Sequence, residues 1–256
     1  MGNLIRMDLY RMRKAKSFLV CLILDLALAL SSAPLDKAMY LLAGMLASDM
    51  REKLPATVNL SDIIKNPFPG LGLMLAMISL CYFFYADVEN GYIKNIAGQM
   101  PMKGFTILSK FIVAFVHNVI FAAAGIIGNV VGTLFVQRIV VDDGVPDSIR
   151  VMVLKLLLIQ SICALLLLAV ATLRSKSLGM ILAVLFGLGL TSLIYLGINQ
   201  GLRSLLGHAV DIAKYMPDTV MDETPLGTLK ALAVALVWGA VFLIPAIRIF
   251  DRKDVK

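Results

Sequence analysis

Side chains able to do chemistry are scarce in this 256-residue chain, and most of them sit inside apolar runs. Asp25 interrupts the first such run. A charge at bilayer depth costs about 2.5–3.5 kcal/mol on insertion scales, so Asp25 must face the bundle, face a cavity or be protonated. Histidine occurs twice, at His117 and His208. His117 and its neighbour Asn118 fall about a third of the way into a long apolar run, where a lone histidine reads first as a packing residue. Asp25 and His117 form the acid–base pair open to a membrane enzyme, provided their depths match. The cysteines, Cys21, Cys81 and Cys163, each lie in an apolar run and read as small buried hydrophobes. No CxxC, HExxH, GxSxG or zinc-ligand spacing occurs, so no catalytic set and no metal site is expected. No GxxxxGK[ST] occurs either, so the chain holds no P-loop for ATP phosphates.

The elements that must carry these residues follow from composition. Hydrophobic residues make up 59% of the chain and charged residues 16%, against about 45–50% and 25% in ordinary soluble domains. Disorder, a collagenous chain and a disulfide scaffold are excluded by the same figures. Runs of roughly 20 apolar residues are long enough to cross a bilayer. Six are read here, over residues 17–32, 67–86, 105–136, 149–173, 178–197 and 228–250. The expected fold is therefore all-α, one transmembrane domain over residues 1–256. The basic front before the first run resembles a cleaved leader, but its length and Asp25 favour a retained span. Met39–Ala47 is too short to span and, set off by Ala33-Pro34 before it and Asp49–Lys53 after it, reads as an interfacial or external helix.

Charge gives the orientation. The side holding both termini and the loops around 87–104 and 174–176 carries 14 basic residues against five acids. The opposite side carries ten against eleven. The basic side is expected to be cytoplasmic, with both termini inside. The net charge of +7 thus reflects orientation in a membrane rather than nucleic-acid binding. At the N-terminus, Ile5, Leu9 and Met12 repeat at helical spacing, while Arg6, Arg13 and Lys14 point elsewhere; Lys16 falls on the apolar side and can snorkel. The pattern fits a helix lying in the membrane surface.

The loop after the second span is more than a polar connection. Asp87 is placed to cap a short helix ending near Gly98, with Pro101 beyond. Val88, Tyr92 and Ile96 then form an apolar stripe on a cytoplasmic helix, suited to a groove on a partner protein. A stripe packed on the chain's own bundle is the alternative.

The stretch Asp87-Val-Glu-Asn-Gly-Tyr-Ile-Lys-Asn, followed by Ile107-Leu-Ser-Lys110, resembles the cytoplasmic loop of ABC-2-type transporter permeases. The six-span layout and the amphipathic N-terminal helix resemble that family too. The resemblance implies a permease subunit of an ATP-driven exporter in the bacterial plasma membrane. Asp87, Val88, Glu89, Gly91, Tyr92, Ile93, Lys94 and Ile96 would then form the coupling helix that meets a cytoplasmic ATP-binding subunit. ATP and Mg would be bound by that subunit, with no cofactor on this chain. A second permease, identical or paralogous, would complete the unit. Size and short loops resemble the exporters of phenol-soluble modulins and bacteriocins, which implies amphipathic peptide cargo. A scaffold or sensor that recruits a soluble partner through the same loop is the rival reading, and an intramembrane enzyme is another.

Two further patterns bear on this reading. Ala124, Gly128 and Gly132, and then Gly179, Ala183 and Gly187, make small-residue stripes for close helix packing, within one chain or across a dimer. Asp25, Tyr82, Phe84, His117 and Asn118 are candidates for the lining of a substrate pathway. An interfacial aromatic belt is the plainer reading for Tyr82 to Tyr85.

Overall fold

Two helices open the chain, α1 (Gly2–Lys14) and α2 (Lys16–Leu46), divided by extended backbone at Ala15 (φ −68°, ψ 125°). The structure is a computed structural model that describes residues 1–46, 56–89, 103–173, 175–206, 211–223 and 226–252. The separation expected at Pro34 is absent. α2 runs through it as one helix of 31 residues, about 46 Å long, so one end projects beyond a hydrocarbon core of about 30 Å. Pro34 has no N–H to give the carbonyl of Leu30. That carbonyl instead lies against Gly132 of the third span, where a Cβ would collide with it. The neighbouring helix covers the gap that the proline leaves.

Beyond α2 come β1 (Thr57–Asn59) and α3 (Leu60–Lys65). β1 pairs in parallel with β2 (Arg138–Val140), Val58 opposite Ile139, so the chain is not purely helical. The second span, α4, covers Gly72–Glu89 rather than 67–86. Its start is delayed by Pro67 and Pro69, which push the residues before them out of the helical region. Gly70 then takes a left-handed φ of 59°. The carbonyl of Pro67 packs on Gly125.

The third span is α5 (Phe105–Leu134) and the fourth is α6 (Val145–Leu173). α6 is the most enclosed of the long helices, with 72% of its most apolar window buried. Apolar residues all round a helix suit that central place. α10 (Thr228–Arg252) is the last span and runs on through Pro245.

The fifth predicted span, 178–197, is not one helix. α7 (Lys176–Gly187) and α8 (Thr191–Leu206) meet at 93°. α7 ends in a Schellman motif: Leu190 N–H donates to Leu185 O and Gly189 N–H to Phe186 O. Gly189 takes the left-handed φ of 68° that this cap requires. The short helix α9 (Pro217–Met221) follows. Asp218 accepts hydrogen bonds from Thr191 Oγ1 and, at 2.9 Å, from Tyr195 OH, which ties α9 to the first turns of α8.

Among the described residues, five helices are long and apolar enough to cross a membrane: α2, α4, α5, α6 and α10. The bent pair α7–α8 makes a sixth if it counts as one span. The chain is a multi-pass helical membrane protein.

Candidate functional site

The site is built where the chain ends of the basic side converge. α1 buries Leu4, Asp8 and Met12, one residue from each of three turns. Ile5 and Leu9 flank this line and are partly buried against the core. The middle residue of the buried line is therefore a carboxylate, which water cannot solvate there. Ser109 Oγ of α5 donates to Asp8 Oδ2 at 2.6 Å, and Arg11 Nη1 lies 3.6 Å from Asp8 Oδ1. Burial pushes the Asp8 carboxyl above its ordinary value. Lys110 and the Ser109 hydrogen bond oppose that shift, and Asp87 adds to it.

Asp87, in the last turn of α4, faces the same point. Arg11 donates to Asp87 Oδ1, and Lys110 Nζ lies 2.7 Å from Asp87 Oδ2. Lys110 also donates to the carbonyl of Phe83 at 3.4 Å and stands 4.4 Å above the Phe83 ring. Two acids and two bases thus balance, and Asp8, Asp87 and Lys110 are all nearly inaccessible. α1, α4 and α5 are joined by one charge network.

Two more ties ring this cluster. Glu89 pairs with Lys176 at 3.1 Å, which joins α4 to α7, and Lys176 Nζ also sits 4.4 Å above the Tyr82 ring. Gly104 N–H donates to Asp251 Oδ1 at 2.6 Å, which joins the start of α5 to the end of α10. All these contacts border the segment that connects α4 to α5.

The loop residues read from sequence divide accordingly. Gly91, Tyr92, Ile93, Lys94 and Ile96 lie outside the described residues, as does His208. Asp87 does not cap a new helix and does not face outward. It belongs to α4 and is buried between Arg11 and Lys110. Val88 packs against the bundle core rather than forming part of an exposed stripe. Glu89 is on the surface with Lys176.

No family model, curated protein or solved structure matches the chain.

Four of the five candidate pathway residues, Asp25, Phe84, His117 and Asn118, are buried in the interior. Phe84, His117 and Asn118 are fully buried. His117 Nε2 is 3.0 Å from Ser79 Oγ, and its ring stacks on Phe121 and meets Phe18 edge-on. Asn118 Nδ2 donates to Cys163 Sγ at 3.3 Å. Asp25 is buried too and lies against Gly72 at the start of α4, so His117 is not its partner. Tyr82 faces outward under Lys176. None of the five lines the apolar groove between α5 and α10.

Both small-residue stripes serve packing inside the chain. Gly128 and Gly132 seat α2, at Ala29 and at the carbonyls of Leu26 and Leu30. Gly125, one turn earlier on that face, meets the carbonyl of Pro67 rather than α2. Gly179 and Gly187 seat α4, at Tyr85 and Met74, and Ala183 between them is fully buried.

Sequence reading missed Asp8, Arg11 and Lys176 as members of a network. The available signal was an acid at i+4 between Leu4 and Met12, on the buried side of an otherwise basic amphipathic helix. The partners could not be found from spacing, because Asp8 and Ser109, like Arg11 and Asp87, are far apart in sequence.

Proposed function

We propose that this chain is the membrane permease subunit of an ATP-driven exporter, moving hydrophobic or amphipathic peptides with ATP hydrolysed on a separate cytoplasmic subunit. One observation carries the reading: the charge network of Asp8, Arg11, Asp87 and Lys110 lies at the root of the α4–α5 connection. A force applied to that connection reaches α1, α4 and α5 together, because one buried network holds all three. The resemblance of the connecting sequence to ABC-2-type permeases names the source of the force, an ATP-binding subunit docked on residues 90–96. The absence of a P-loop motif from the sequence agrees with hydrolysis on another chain. In this reading the basic face is cytoplasmic, both termini lie inside and a second permease completes the pathway.

The test is co-purification with a candidate ATP-binding subunit encoded beside this chain. Wild type retains the subunit and Ile96→Asp releases it. Equal retention by both, or none by either, removes the coupling reading and favours the scaffold alternative.

A further inference from the structure

An apolar groove of about 640 Å³ runs between α5 and α10, with α6 as its floor. Ile112 and Phe115 form one wall, Leu236 and Ile244 the other, and Ser161 and Gly239 lie along the bottom. On α10 the lining extends from Leu232 to Ile247, about 22 Å of helix. The groove lining is apolar almost throughout, as an extended aliphatic chain requires.

Charge at one end indicates what the chain is attached to. Ile244 is exposed on the groove wall, and Arg248 and Arg252 follow it at one and two turns on the same face. Both arginines are exposed, and neither has an ion pair within 4 Å among the described residues. The nearby carboxylate, Asp251, accepts from Gly104 N–H across the α5–α10 junction. Beyond Ile247, the last residue of the lining, α10 therefore carries two exposed guanidinium groups. Basic pockets between spanning helices suit anionic headgroups in this way.

We propose that this groove seats one acyl chain of an anionic phospholipid from the leaflet on the basic face, with the phosphate held by Arg248 and Arg252. The site does not depend on the exporter reading.

The test is native mass spectrometry of the full chain in detergent, with phosphatidylglycerol and phosphatidylcholine supplied in equal amounts. Wild type is expected to retain phosphatidylglycerol at least about tenfold over phosphatidylcholine. Arg248→Gln with Arg252→Gln, both at exposed positions, is expected to bring the two lipids near parity while the chain remains folded. Gly239→Phe fills the groove, since a Cβ there meets only Ser161 Cβ at 4.0 Å. Retention of both lipids is expected to fall. Leu229→Phe, 85% exposed and beyond the groove, is expected to behave as wild type. Parity in wild type, or a preference that survives the double arginine variant, overturns the proposal. Undiminished retention by folded Gly239→Phe does the same.

Discussion

Asp87 Oδ2 lies 2.7 Å from Lys110 Nζ, with both side chains buried where the last turn of α4 meets the first turns of α5. The pair closes the connection between those helices at its root, and Arg11 extends it to α1.

Without Lys110, the buried carboxylates of Asp8 and Asp87 share the single guanidinium of Arg11, and a buried charge left short of a partner costs up to about 3–5 kcal/mol. Lys110→Met is therefore expected to lower the thermal midpoint of the purified protein strongly. Asp87→Leu added to Lys110→Met is expected to recover much of the loss, because no buried charge is then orphaned. The non-additivity is read from a double-mutant cycle.

Asp8 gives a pH signature of opposite sign to a surface ion pair. Its folded pKa is raised above the ordinary 3.8 by burial. The folded state therefore holds that proton more tightly than the unfolded state. Its contribution is present below 3.8 and is lost as pH rises through the raised folded value. Asp8→Asn lacks this titration. The stability difference between wild type and Asp8→Asn should shift against wild type as pH rises through that window. Unfolding in detergent across pH 4 to 7 reads the difference.

Gly132 is the tightest point of the α2–α5 contact, since a Cβ would meet the carbonyl of Leu30. Gly132→Ala is expected to destabilise by about 1–3 kcal/mol through overpacking. Gly197→Ala in α8 is the matched control, because nothing lies within 4 Å of a Cβ there. Its thermal midpoint should stay level or rise.

Gly189 sets the bend between α7 and α8 through its φ of 68°. An L-residue in that conformation costs about 1–2 kcal/mol. Gly189→Val is expected to lower stability and change the α7–α8 angle. Spin labels at Leu178 and Leu196, both exposed, report that angle as a distance.

Much of the helical layout was legible in sequence because apolar runs of membrane length leave few alternatives. α5 and α10 begin where the hydropathy places them, at Phe105 and Thr228, and α6 ends with its run at Leu173. The discrepancies arise from backbone chemistry that composition does not weigh. α2 runs through Pro34, with the Leu30 carbonyl four residues earlier packed against Gly132. Pro67 and Pro69 delay α4. Gly189 breaks an apolar run of ordinary appearance. The site was legible only in part. Asp87 and Lys110 stood out by motif, Asp87 as the cap of a loop helix, and spacing along one chain cannot reveal that Arg11 and Asp8 return to meet them. The small-residue stripes were recognisable as packing faces, and tertiary contacts supplied their partners, α2 and α4.

The most direct measurement is ATP hydrolysis by this chain reconstituted in vesicles with its candidate ATP-binding subunit, with and without an amphipathic helical peptide. Peptide is expected to stimulate hydrolysis in wild type. In Arg11→Gln, which loosens α1 from α4 without touching residues 90–96, the subunit stays bound but stimulation is lost. Hydrolysis indifferent to peptide in wild type, or stimulation undiminished in Arg11→Gln, contradicts the coupling reading.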